Sequence, residues 1–180
     1  MKSVLVLFAE GSEELEAVTV VNILRRAGVT VMLAGLSAGS LRGSRGVMIQ
    51  PDSTLDEVRH RDFDMIVLPG GQPGTNHLKA DMRVLELVKR MEQQGRFVAA
   101  ICAAPSVLAS AGLLDGKQAT SFPGALDPFP LVMQQRTAVT EDGKLITSRG
   151  PGTAMDFALT LVERLAGKAK RNEVEAGLQR

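Results

Sequence analysis

The sequence contains one cysteine, Cys102, and it stands where an uninterrupted apolar run, Phe97-Val98-Ala99-Ala100-Ile101, stops. A strand that runs into a sharp turn and then a helix lifts the turn residue out of the sheet and points the helix's first backbone N–H groups at it. A thiol placed there feels partial positive charge, which lowers its pKa and makes the thiolate available as a nucleophile. The bland alternative is an inert core residue, because free cysteine is among the most buried residue types. The strand-to-helix context favours the reactive role.

Attack on a carbonyl needs donors for the developing oxyanion, and the backbone N–H groups of Gly71 and Ala103 are the candidates. The pair Gly70-Gly71 also lets backbone approach a ligand closely, although Pro69-Gly70-Gly71 is equally an ordinary way to end a strand. A cysteine nucleophile commonly recruits a base. His60 falls in a polar connection and His77 near a helix start, so both read as surface residues, and the acids Glu13, Glu14 and Glu16 are the alternative. On a helix Glu16 shares a stripe with Val20, Ile23 and Ala27, whereas Glu14 aligns with Val18, Val21 and Arg25. Glu16 is therefore the better candidate for burial, and Glu13 stays open. A buried carboxyl keeps its proton to higher pH and serves as acid or base beside a thiolate. The competing reading is that all three acids decorate a helix N-terminus. The Gly-rich loops at 70–74 and 149–152 can bind an anion, with Arg149 supplying charge. No Cys/His spacing matches a metal site, and the phosphate-loop and dinucleotide fingerprints are missing, so neither metal nor cofactor is expected.

These residues have to be held by regular elements. Residues 2–8 read as a strand buried on both faces, residues 12–27 as a helix capped by Ser12, and residues 30–36 as a second strand, which together make a βαβ unit. Residues 37–52 are Gly- and Ser-rich and read as a loop or small hairpin around the apolar patch at 47–49. A short helix is predicted at 53–59, a buried strand at 64–68, a helix at 81–94 on Val84, Leu85, Val88 and Met91, and a strand at 97–101. A helix through Val107 to about Ala111 and an irregular segment with Pro123, Pro128 and Pro130 follow. Residues 137–148 read as a hairpin turning at Glu141-Asp142-Gly143-Lys144, then Thr153 caps a helix and the charged tail from Lys168 is helical. Strands alternating with helices predict a doubly wound α/β sandwich, whose ligand site lies at the carboxyl ends of the strands. The loops at 9–12, 69–74 and 102–105 converge there.

At 180 residues the chain is expected to form a single domain spanning 1–180. A net charge of +1, with six Phe and no Trp or Tyr, offers nucleic acid neither broad attraction nor stacking rings, so no nucleic-acid complex is expected. A lone cysteine forms no internal disulfide, no secretory signal opens the chain and no apolar run is long enough to span a bilayer; a cytoplasmic protein without a membrane partner is expected.

Four stretches together carry a family resemblance: Ala9-Glu10-Gly11-Ser12-Glu13-Glu14-Leu15-Glu16, Leu68-Pro69-Gly70-Gly71, Ala99-Ala100-Ile101-Cys102-Ala103-Ala104-Pro105 and Thr147-Ser148-Arg149-Gly150-Pro151-Gly152-Thr153. In that order they resemble the ThiJ/PfpI superfamily, most closely its parkinsonism-associated deglycase branch. The resemblance implies a flavodoxin-like three-layer sandwich with a mostly parallel central sheet, a homodimer, and a nucleophile elbow bearing an easily oxidised cysteine, here Cys102. It matches Glu16 to an acid held protonated against the thiolate, Gly71 and Ala103 to backbone donors, and Arg45 to an arginine reaching toward the site across the dimer interface. The implied activity is on α-oxoaldehydes such as methylglyoxal or on early glycation adducts, as a cofactor-independent glyoxalase or deglycase acting through a Cys102 hemithioacetal. The alternative it implies is a redox sensor and chaperone with Cys102 oxidised to sulfinate. Two positions depart from the wider pattern. Ala103 stands where the intracellular-protease branch has His, which disfavours a protease, and Phe122 stands where many deglycase-branch members have His.

Overall fold

The computed structural model describes residues 1–180. Its strands are β1 (Ser3–Phe8), β2 (Thr30–Gly35), β3 (Leu41–Arg42), β4 (Met48–Ile49), β5 (Ser53–Thr54), β6 (Met65–Leu68), β7 (Phe97–Ile101), β8 (Gln118–Ala119), β9 (Met133–Gln134), β10 (Val139–Asp142) and β11 (Leu145–Ser148). The helices are α1 (Glu14–Arg26), α2 (Leu55–Val58), α3 (Gly74–Ala80), α4 (Met82–Gln93), α5 (Pro105–Ser110), α6 (Ala154–Ala166) and α7 (Lys168–Gly177). One sheet runs in the order β10-β11-β7-β6-β1-β2-β5, parallel throughout except for the β10–β11 hairpin.

The continuous apolar run of β1 follows from its central place. Val4, Val6 and Phe8 face a core shared with α1 and α6, while Leu5, Leu7 and Ala9 face a second core shared with α4 and α5. Helices therefore cover both faces, giving the three-layer, mostly parallel α/β fold the sequence predicts. No helix is long and apolar enough to cross a membrane.

Three local expectations change. The helix at 81–94 is preceded by a separate helix, α3, which has little hydrophobic periodicity and is held through buried Gly74, Thr75 and Leu78. The cap of α1 is Glu13, whose side chain accepts from the Leu15 N–H; Ser12 Oγ instead accepts the Ala9 N–H at 3.0 Å and closes the turn after β1. Thr153 makes no capping bond to α6. Its hydroxyl lies 2.7 Å from Ser148 Oγ and pins the loop after β11. The Gly-rich stretch does contain a hairpin, β3–β4, and the proline-rich segment is bracketed by a small parallel pair, β8–β9.

Candidate active site

Strands β1, β6, β7 and β11 are consecutive neighbours in the sheet, so the loops that follow them emerge side by side. Cys102 is the first residue beyond β7 and has φ of 65°. A residue with a side chain pays roughly 1–2 kcal/mol to adopt this left-handed conformation, so the surroundings must hold it there. The Cys102 N–H donates to the Ser148 carbonyl at 2.9 Å, and the Cys102 carbonyl accepts the Phe122 N–H at 2.8 Å. The elbow is thus anchored on both its main-chain polar groups.

The glycines are required by contact. A Cβ on Gly70 would stand 2.6 Å from Cys102 Cβ. On Gly71, whose φ is +83°, it would stand 2.4 Å from the Glu13 nitrogen, and on Gly74 2.3 Å from the Ser12 nitrogen. The Gly70–Gly74 loop is pressed backbone to backbone against the start of α1, and the Glu13 N–H donates to the Gly70 carbonyl at 2.8 Å. This docking carries Glu16 inward. It is fully buried, and its Oε2 accepts the Gly70 N–H at 2.7 Å. Its other oxygen, Oε1, is buried with no hydrogen-bond partner, and the carboxyl lies beside the Cys102 thiol.

Burial pushes the Glu16 carboxyl up to about 7, against the pull of the Gly70 N–H and the thiol. Burial, and then the negative charge of Glu16, push the Cys102 thiol up to about 12, against the pull of the Gly71 and Ala103 N–H groups. A helix terminus alone would lower the thiol pKa, but α5 is six residues long and the cysteine is 8% exposed, so desolvation outweighs the helix. Groups this close titrate as a pair, and between about 7 and about 12 they hold one proton between them. That proton rests on sulfur, and its transfer to the carboxyl gives a carboxylic acid beside a thiolate that faces two N–H donors.

Glu14, which shares its stripe with Val18, Val21 and Arg25 and is the weaker candidate for burial on helical spacing, is buried as well. Its carboxylate accepts the Arg45 N–H at 2.9 Å and the Val47 N–H at 3.2 Å, with Ser44 Oγ at 3.3 Å. Burial acts to raise its pKa, but these donors together hold it below the ordinary carboxylate value. Glu13 Oε2 also takes the Ser44 hydroxyl at 2.7 Å. The acids thus divide the work: Glu16 faces the thiol, while Glu13 and Glu14 fasten the β3–β4 loop that carries Arg45. Helical periodicity registers only what a helix shows its core, and Glu14 is covered by a loop; the donor-rich Gly43-Ser44-Arg45-Gly46 run is the one signal that an acceptor was needed.

Arg45 has an exposed side chain with no ion pair in this chain, and only its backbone is fixed. Arg149 is exposed too, and it lines a cavity of about 470 Å³ beside the elbow whose lining does not include Cys102. The thiol–carboxyl pair, with its perturbed titration and convergent donors, marks the chemistry better than cavity size does. The histidines stand apart: His77 Nδ1 bonds the Glu10 carbonyl at 2.8 Å, and His60 lies exposed among Arg59, Arg83 and Arg90.

A model described as the DJ-1/PfpI family matches residues 2–164. Protein dj-1beta of Drosophila melanogaster is 46% identical, over 98% of this chain and 96% of its own length. The glutathione-independent glyoxalase DJR-1.2 of Caenorhabditis elegans is 34% identical, over 96% of this chain and 94% of its own. The solved structure of Toxoplasma gondii DJ-1, oxidized, superposes with a TM-score of 0.96 at 38% identity, covering 99% of this chain and 98% of that one.

Proposed function

This chain belongs to the DJ-1/PfpI family, and from that premise we propose that it is a cysteine-dependent, stress-protective enzyme acting on α-oxoaldehydes or early glycation adducts. Cys102 is the nucleophile and Glu16 its acid–base partner. The observation that carries this reading is the buried Glu16 carboxyl, its Oε1 unpartnered, beside a thiol on a strained elbow. The relative named as a glutathione-independent glyoxalase supports it.

With methylglyoxal, Sγ bonds to the aldehyde carbon and the carbonyl oxygen takes the shared proton, giving a hemithioacetal. The Gly71 and Ala103 N–H groups hold the oxygen as it becomes negative. Glu16 then removes the proton from the former aldehyde carbon, the hydroxyl proton passes from that carbon's oxygen to the ketone oxygen, and Glu16 returns its proton to the former ketone carbon. The first carbon is oxidised and the second reduced, so no outside oxidant is needed, and the product is a thioester. Water attacks it, the S–C bond breaks, the thiol–carboxyl pair regains its proton and lactate leaves. Conversion of methylglyoxal to lactate by the wild type, falling by about a thousandfold or more in Cys102→Ser, is the expected result. Undiminished turnover in the variant would sink the assignment.

The same unpartnered Oε1 supports a second reading, in which peroxide oxidises Cys102 to a sulfinate and a protonated Glu16 donates to one of the new oxygens. Intact-mass analysis after limited peroxide tests this: oxygen must add selectively at Cys102.

A homodimer fits an apolar face around the same loop. Leu15 and Val18 of α1 and Val47 and Met48 of the hairpin are about half exposed next to Arg45. Pairing two such faces would shield them and hold Arg45 at the seam. Val18→Glu is expected to convert a dimer to a monomer in sedimentation; a wild type that sediments as a monomer overturns this reading.

A further inference from the structure

A cavity of about 470 Å³ is lined by no hydrophobic residue; Ser121, Asp127, Gln134, Gln135, Arg136 and Arg149 supply most of its polar groups. Both of its walls are tied to the elbow. Ser121 and Pro123 flank Phe122, whose N–H donates to the Cys102 carbonyl, and Arg149 follows Ser148, whose carbonyl accepts the Cys102 N–H. The Phe122 ring packs over Gly150, next to Arg149, since a Cβ on Gly150 would stand 3.5 Å from it.

The charges facing this space are unspent. Arg83 is committed to Asp81 and Asp56, and Arg164 to Glu141. Arg136 and Arg149 have no carboxylate partner; Arg149 only donates to the Arg136 carbonyl at 3.3 Å. Asp127 meets only the Gln134 amide, at 3.5 Å. Two cations and one anion therefore line one polar cavity, leaving it net positive. A guanidinium is weakly hydrated and presents a planar fork that suits a carboxylate.

We propose that this cavity is a specificity subsite for a carboxylate-bearing tail on the oxoaldehyde, whose aldehyde end is at Cys102 and whose carboxylate is held by Arg136 and Arg149. The proposal rests on the activity proposed above and names its substrate class: α-oxoaldehydes with an anionic end, rather than neutral methylglyoxal.

The test compares 4,5-dioxopentanoate, an α-oxoaldehyde with a carboxylate tail, with methylglyoxal. The wild type is expected to favour the charged substrate in kcat/KM by about tenfold or more, a preference that weakens as salt is raised. Arg136→Ala and Arg149→Ala should each reduce that ratio about tenfold through KM, Arg136→Lys should retain part of it, and Asp127→Asn should increase it. A ratio unmoved by both alanine variants overturns the proposal, as does a fall in kcat on both aldehydes alike. If the wild type turns over neither aldehyde, the activity has failed and binding decides the subsite. Calorimetry of 4-oxopentanoate with Cys102→Ser should then show binding that is lost in Cys102→Ser/Arg136→Ala, and no binding overturns the subsite.

Discussion

Replacing Glu16 by Gln is expected to lower methylglyoxal turnover by about 10²–10⁴-fold and to move the pH profile of Cys102 alkylation downward. The wild-type pair loses a first proton near 7 and a second near 12. The second loss is the thiol's, held back by burial and by the Glu16 carboxylate, so alkylation by a neutral reagent such as iodoacetamide should stay slow near neutral pH and climb towards about 12. With Gln at 16 only the thiol titrates. The carboxylate charge that pushed it upward is gone, so its single midpoint falls below about 12. A variant profile superimposable on the wild type would break the link between the two groups.

The same variant has a stability signature of definite sign. An unfolded carboxyl titrates near 4.5, while folded Glu16 holds its proton to about 7, so the folded state binds more protons between those values. Its favourable contribution is whole below about 4.5 and is lost as pH rises to about 7, by roughly 3 kcal/mol. Urea denaturation at pH 5 and pH 8 should show this loss in the wild type and not in Glu16→Gln. A residue kept for chemistry is here a burden on the fold at neutral pH.

Gly71→Ala is the second large effect. Its φ of +83° is strained for any side chain, and the new Cβ would stand 2.4 Å from the Glu13 nitrogen and 2.9 Å from the Gly11 carbonyl, both backbone atoms. The conformational cost of roughly 1–2 kcal/mol and an overpacking cost of roughly 1–3 kcal/mol together lower the melting temperature by about 10 °C. Gly39 separates the two costs: its φ is +86°, but nothing lies within 4 Å of a Cβ there, so Gly39→Ala should lose only about 3 °C. Gly71→Ala should also lose turnover, because its N–H donor moves with the loop. Equal melting of the two variants would show that the contact with α1 is not what holds the site.

The layers, the parallel sheet and the meeting of three loops were legible because they follow from local patterns: the continuous apolar runs of β1 and β6, the glycine punctuation, and the strand that stops at Cys102. Periodicity alone favoured Glu16 over Glu14 and was right about which acid faces the sheet. It could not see Glu14, because the partner that buries it is a loop some thirty residues away in sequence. The thiol's titration was misjudged for a similar reason. A helix N-terminus is visible in a sequence, but desolvation depends on how closely Gly70 and α1 crowd the sulfur, and that is a property of the packed molecule. Arg149 was legible as an anion-binding candidate in its Gly-rich loop, whereas Arg136 lies in an irregular segment that left no pattern to read.

The elbow's second anchor comes from the main chain of residue 122, so the side chain at that position carries no part of the load. Phe122 is half exposed and its ring faces outward over Gly150, while its N–H alone secures the Cys102 carbonyl. Position 122 is therefore a modular one, where the side chain can be exchanged without disturbing the turn that presents the thiol.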